Sequence, residues 1–242
     1  MNPTDPAEGN LLSLQANEYP GRGIIIGLSP DAGSYIQVYW LMGRSEASRN
    51  RILVAEKGFV RTEIPDTGKV KDPSLLVYYP VKHWRNCHIV TNGDQTDTIY
   101  SFLKQEKNFD DALMTRNFEP DAPHYTPRIS CLLDLEDQKC AYRLSIIKAA
   151  GSNPACCGRY FFHYAKAVPG WGHCLHTYAG NGNPLPPFAG EPLLVKVFND
   201  PRETAEYYWN LLNRENKVAL LVKAVCIKTG KTSLEIINKH HR

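Results

Sequence analysis

GIIIGL (Gly23–Leu28), SPDAGS (Ser29–Ser34) and YIQVYWLM (Tyr35–Met42) follow one another without a gap. The first and third runs are dense in β-branched and aromatic residues, which is strand composition. Between them Pro30, Asp31 and Gly33 supply turn chemistry. The result is a β-hairpin, and with it a sheet whose neighbouring strands run antiparallel. In the second strand Tyr35, Gln37, Tyr39 and Leu41 share one face, and Ile36, Val38, Trp40 and Met42 share the other. The second set is the more apolar and is expected to pack on the core.

Outward from the hairpin, strand signals dominate. Ile52–Val54, Phe59–Thr62 and Leu75–Val81 are expected strands, followed after Phe118–Thr126 by Arg128–Leu135, Lys139–Lys148, Arg159–Val168, His173–Tyr178 and Val218–Ile227. Thr232–Ile237 is a short terminal segment. Gly151–Gly158 is read as a break and Ala179–Pro192 as a surface loop or lid, too rich in Gly and Pro for a regular element. Helices are expected at Asn108–Arg116 and at Pro201–Arg214, the latter with Asn199 or Asp200 as cap and Pro201 in its first position. Residues 1–18 read as a loose arm docking through Leu11, Leu12 and Leu14. Residues 19–242 then read as one domain of the α+β class with antiparallel sheets.

Composition narrows the function. A formal charge of +3 over 242 residues argues against nucleic acid as a bulk partner, and no apolar segment reaches membrane-spanning length. The start of the chain lacks the cationic and apolar regions of a signal peptide. Seven cysteines without paired spacing suit a reduced, cytoplasmic protein.

HIVTNGDQTDTIYSF (His88–Phe102) joins a buried strand to a helix through the turn Thr91-Asn92-Gly93-Asp94, with Thr96 or Asp97 as the expected cap. A helix start gathers free N–H groups that attract an anion. By shape alone a plain connection is the favoured reading, but the density of hydrogen-bonding side chains tilts it toward a function. GRSEASRNR (Gly43–Arg51) places Arg44, Arg49 and Arg51 among small polar residues; both phosphate binding and a solvated loop account for it. Pro127 holds Thr126 and Arg128 at a strand entry, with Glu119 and Asp121 just before. His173, Cys174 and His176 lack zinc-site spacing, and Cys131, early in a strand, has the setting of an inert thiol. No metal or organic cofactor is expected. No Walker A, GxGxxG or GxSxG motif is present.

Taken in order, Tyr19-x-Gly21-Arg22, Gly23–Leu28, Gly43-Arg44-Ser45, Asn50-Arg51, Thr91-Asn92-Gly93, Thr96-Asp97-Thr98 and Thr126-Pro127-Arg128-Ile129 resemble the archaeal-type IMP cyclohydrolases. The quotable resemblance runs from Tyr19 to about Ser130. It implies two antiparallel sheets sandwiched between helical layers, similar to the N-terminal-nucleophile hydrolases. It also implies a purine nucleotide as partner and ring closure of 5-formamidoimidazole-4-carboxamide ribonucleotide to IMP with loss of water. By the same resemblance Arg51, Tyr78, Asn92, Gly93 and Glu119 form the reacting centre, Glu119 and Tyr78 being the acid/base pair. Arg22, Arg44, Ser45, Thr96, Asp97, Thr126 and Arg128 hold the substrate. Eighteen residues precede Tyr19, so a free N-terminal nucleophile is not expected unless the arm is removed. The second half exceeds the quotable pattern and leaves room for a lid or a homo-oligomer contact. Two competing readings are an amidohydrolase of the same fold using Cys131 and a purine-nucleotide-binding protein without catalysis.

Overall fold

The computed structural model describes residues 5–70, 72–151 and 153–240. In chain order the elements are α1 (Pro6–Ala16), β1 (Gly23–Leu28), β2 (Ser34–Met42), α2 (Glu46–Arg49), β3 (Ile52–Glu56) and β4 (Phe59–Glu63). Then come β5 (Val81–Trp84), β6 (Cys87–Thr91), α3 (Gln95–Lys104), α4 (Phe109–Met114), β7 (Arg128–Asp134), β8 (Tyr142–Ala150) and β9 (Asn153–Tyr164). The chain finishes with β10 (Trp171–His176), β11 (Leu193–Lys196), α5 (Pro201–Leu211), β12 (Lys217–Cys226) and β13 (Thr232–Asn238).

These strands form two antiparallel sheets, one in the order β11-β10-β1-β2-β12-β13 and the other β3-β4-β5-β6-β7-β8-β9. The class is α+β, as the hairpin predicts. The sheets face each other across a core that includes Ile24, Ile26, Tyr39 and Leu41 from one side and Val60, Val90, Ile129 and Leu144 from the other. On the far side of the first sheet, Ile25, Val38 and Trp40 pack against Leu11 and Leu14 of α1 and Tyr208 of α5. Behind the second sheet, Ile89, Leu132 and Ile147 pack against Ile99 of α3 and Phe109 and Leu113 of α4. Four layers result, helices outside and sheets inside.

This layering bears out the expected packing of the Ile36, Val38, Trp40 and Met42 face and adds that the other face is covered too. Both of its faces are buried: Ile36, Val38, Trp40 and Met42 meet helices, whereas Tyr39 and Leu41 meet the other sheet. A strand in the middle of a covered sheet has no solvent face, so relative polarity does not tell which face is which. Residues 1–4 of the expected arm lie outside the described residues; from Asp5 on, it forms a helix and not a loose segment. Asp5 accepts from the Ala7 N–H and Pro6 starts α1, whose Leu11 and Leu14 are buried while Leu12 is exposed.

Other differences are local. Leu75–Pro80 is not strand, and β5 begins at Val81. Gly151–Gly158 is mostly strand, within β9, and β11 was not foreseen because Leu193–Lys196 is short and follows a Pro-rich loop. The segment Gly43–Arg51 contains a one-turn helix, α2, capped by Ser45 through the Ser48 N–H.

Candidate active site

Arg22 precedes β1, Tyr178 follows β10, Asn92 and Gly93 follow β6, and Glu119 and Thr126 precede β7. Antiparallel pairing brings the start of one strand beside the end of its neighbour, so these residues gather at one end of the sandwich. There Nη2 of Arg22 donates to Oε1 of Glu119 at 2.7 Å, and both side chains are nearly buried, 11% and 3% exposed. Burial pushes the Glu119 carboxyl above its ordinary value, although the Arg22 and Arg128 guanidiniums pull the other way. A carboxylate so placed is a stronger proton acceptor than one in water.

The segment that carries Glu119 is tightly braced. Its N–H donates to the Thr126 carbonyl at 2.9 Å, and Asp121 accepts from both the N–H and the hydroxyl of Thr126. The Thr126 hydroxyl also hydrogen-bonds Tyr178, whose ring stacks on Tyr19. Tyr125 adopts φ of 45°, a left-handed conformation that costs a bulky residue roughly 1–3 kcal/mol. Strain of this kind persists only where surrounding contacts over-determine the backbone, as they do here.

Gly93 is the point of closest approach. A Cβ there would lie 2.7 Å from Nη1 of Arg128 and from Oε1 of Gln95, so a larger residue would push these two side chains from their present places. Arg128 in turn reaches Asp94 at 2.6 Å, Gln95 at 2.8 Å and the Asn117 carbonyl at 2.9 Å. The Asn92 side chain makes three hydrogen bonds: it donates to the Pro127 carbonyl and accepts from the Ile129 N–H and from Gln95. It ties β6 to β7 beneath the site.

Two phenols add to this group, Tyr39 from β2 of the first sheet and Tyr78 from the segment bonded to β4 of the second. The hydroxyls of Tyr39 and Tyr78 lie 2.7 Å apart, and both side chains are buried. The guanidiniums of Arg22 and Arg51 both act electrostatically on Tyr39. Arg51 donates to the Ser48 carbonyl at 2.8 Å and the Met42 carbonyl at 3.1 Å. One nitrogen of each arginine, Nε of Arg22 and Nη1 of Arg51, is buried without a hydrogen-bond partner among the described residues. Buried donors left unpaired are costly and ask for an acceptor.

Not all the expected binding residues join this cluster. The helix α3 starts at Gln95, with Asp94 in the cap position, two or three residues ahead of the expected Thr96 or Asp97. Thr96 is buried and bonded to Thr91 and the Gly93 carbonyl, while Asp97 pairs with Lys82 on the surface. Ser45 is exposed and engaged in capping α2. Arg44 lies over the Tyr19 ring at 5.0 Å and donates to Asn181 and the Gly182 carbonyl, so it anchors the loop 179–192. Sequence reasoning missed Tyr39, Tyr178, Asp94 and Gln95. Tyr39 carried a usable signal, a hydroxyl on an otherwise core-forming strand, whereas nothing local marks the rest.

Clefts elsewhere on the surface do not include this cluster. One of about 620 Å³ is lined by Glu46, Arg49, Asn50 and Lys69, and another of about 760 Å³ runs along α4. Among the described residues no three His, Cys, Asp or Glu side chains are placed to hold a metal ion.

The arrangement offers a proton acceptor beside a guanidinium, phenolic donors, and unpaired N–H groups suited to an oxygen that gains negative charge. No curated protein matches the chain. The family model described as IMP cyclohydrolase-like protein matches residues 19–230, starting at Tyr19 and running a hundred residues beyond the Thr-Pro-Arg segment, through the loop 179–192. The chain therefore belongs to the IMP cyclohydrolase-like family.

Proposed function

We propose that this protein is an IMP cyclohydrolase, closing the purine ring of 5-formamidoimidazole-4-carboxamide ribonucleotide with loss of water. The observation that carries the reading is the buried Arg22–Glu119 pair, 2.7 Å apart, whose guanidinium also acts electrostatically on Tyr39 and Tyr78. In the reaction the carboxamide nitrogen attacks the formyl carbon of the same molecule, so holding one reactive conformer is much of the task. Glu119 accepts the proton lost by that nitrogen. Arg51, with the free Nε of Arg22, stabilises the oxygen of the tetrahedral carbinolamine. Glu119 passes that proton to the carbinolamine oxygen, Tyr78 gives its own proton to the resulting hydroxyl, which leaves as water, and the proton released from the former formamide nitrogen as the C=N bond forms returns to Tyr78.

Gly93 and Asn92 serve by position, the first by letting the base approach and the second by fixing the turn. Thr126 and Arg128 hold the segment that presents Glu119 and lie where the sugar of the nucleotide would rest. We assign Arg44 to the substrate's phosphate, an exchange of the Asn181 and Gly182 acceptors for a stronger anionic one. The family assignment and the two facing sheets are in keeping with an N-terminal-nucleophile-hydrolase-like scaffold that works here without a nucleophile. All seven cysteines are free thiols, which suits a reducing cytoplasm.

The hydrolase reading with Cys131 is less well supported. That thiol is wholly buried in the inter-sheet core, and burial pushes it up to about 12, so it is not a thiolate at neutral pH. Incubating the purified protein with the formamido ribonucleotide and following the absorbance of ring closure tests the proposal. Turnover above the uncatalysed rate is expected. Tight IMP binding with no turnover would replace it with a nucleotide-binding role.

A further inference from the structure

Tyr39 has no part in the quoted family motifs, yet it is placed where it controls another residue. It sits on β2, 0% exposed, and its side chain faces the second sheet. Among the described residues its hydroxyl hydrogen-bonds that of Tyr78, at 2.7 Å. Two phenols at that distance share a single hydrogen bond, so one donates and the other accepts. Tyr39 is 0% exposed with no other hydrogen-bond acceptor among the described residues, so a proton it did not give to Tyr78 would be buried unpaired, whereas Tyr78, 6% exposed, keeps an open side. On that ground Tyr39 is the donor and the Tyr78 oxygen the acceptor.

The rest of Tyr78 is fixed from the other side. Its N–H donates to the Thr62 hydroxyl at 2.9 Å, and its carbonyl accepts from the Thr62 N–H at 2.9 Å. With backbone and oxygen both held, the one remaining freedom of Tyr78 is the direction of its own O–H. That proton cannot point at Tyr39, which already supplies one. It is left to face the groups around it, which are charged: Arg22 acts on both phenols and on Tyr178, Arg51 acts on Tyr39, and Glu119 pairs with Arg22.

We propose that Tyr39 is a positioning residue that donates to the Tyr78 oxygen, so that Tyr78 presents its proton to the substrate and is stabilised after giving it up. The proposal rests on the cyclohydrolase reading for its consequence in catalysis. The donor–acceptor order itself does not depend on that reading. As Tyr78 gives its proton to the departing hydroxyl, its oxygen becomes negative, and the hydrogen bond from Tyr39 strengthens in that state.

The test uses Tyr39→Phe, which deletes one oxygen and keeps the ring in the core. In the ring-closure assay kcat is expected to fall about tenfold, the worth of one hydrogen bond to a developing charge. KM stays unchanged, and the alkaline limb of the kcat profile moves to higher pH, because a phenol without its donor ionises less readily. A pure packing defect would lower activity at every pH alike. Equal kcat and an unmoved limb would overturn the proposal.

A second measurement decides the question without turnover. Protein labelled with ¹³C at the tyrosine ζ carbon is titrated by NMR, and the Tyr78 signal is identified by its loss in Tyr78→Phe. In Tyr39→Phe that signal is expected to titrate at higher pH than in the wild type. An unchanged titration would refute Tyr39 as the donor, whether or not the protein closes the ring.

Discussion

Lys223→Met is expected to stabilise the protein at pH 7, against the usual direction of core substitutions. Lys223 lies on β12 and is 1% exposed, with its ammonium 2.9 Å from Nδ1 of His88 on the opposite sheet. Among the described residues no carboxylate is paired with it, and burial brings it from 10.5 down to about 8. A shift of that size corresponds to about 3 kcal/mol, the cost of keeping the charge in the core below pH 8. Methionine fills a similar length without the charge. Losing the contact to His88 returns about 1 kcal/mol of that gain, which leaves a net stabilisation of about 2 kcal/mol.

The sign over pH follows from the same shift. Neutral lysine is the form the fold prefers, so the stabilisation is fully present above 10.5 and lost as pH falls through 8. Wild-type stability, measured by urea unfolding relative to Lys223→Met, should therefore rise by about 2.5 kcal/mol between pH 7 and pH 10. A variant less stable than wild type at pH 7, with no change in the difference by pH 10, would refute the reasoning. It would mean that the buried charge is compensated after all.

Acid should destabilise the fold early. Burial lowers His88 to about 3 and His176 to about 4, so each contributes stability that is complete above 6.5 and is lost as pH falls toward those values. The urea midpoint is expected to drop steadily from pH 6.5 to pH 4; a flat midpoint would count against it. Glu119→Gln should lower kcat by roughly 10²–10⁴ and, by leaving Arg22 without its carboxylate, also destabilise the fold; unchanged turnover would remove Glu119 from the mechanism. Alkylation of the native protein should label exposed Cys156 and spare Cys131, with ring closure unaffected. Loss of activity that tracks modification of Cys131 would revive the hydrolase reading.

What could be read in advance followed from local chemistry. The hairpin Gly23–Met42 and helix α5 announced themselves, because turn residues, a Pro at the helix start and the Asp200 cap act within a few residues. The inner and outer faces of β2 could not be read, since both are apolar and only the other layers tell them apart. The same holds for the site. Glu119 and Arg22 are 97 positions apart and have no mutual signal in the chain, yet they meet at 2.7 Å. They were reachable only through the ordered motifs of a family. Thr96 and Asp97 differ in that the helix was foreseen but its cap was not: Thr96 spends its hydroxyl on Thr91 and the Gly93 carbonyl, and Asp97 pairs with Lys82. Ser45 is similar, its hydroxyl taken by the cap of a helix too short for periodicity to reveal.

The central claim is that the Arg22–Glu119 pair is where the ring closes, and a structure with IMP bound tests it most directly. The bond formed in the reaction joins N1 to C2 of the product. The account predicts N1 within about 3 Å of a Glu119 carboxylate oxygen, with C2 toward Tyr78 and Arg51 and the phosphate against Arg44. Nucleotide lodged instead in the cleft lined by Glu46, Arg49, Asn50 and Lys69, with the Arg22–Glu119 pair undisturbed, would contradict it.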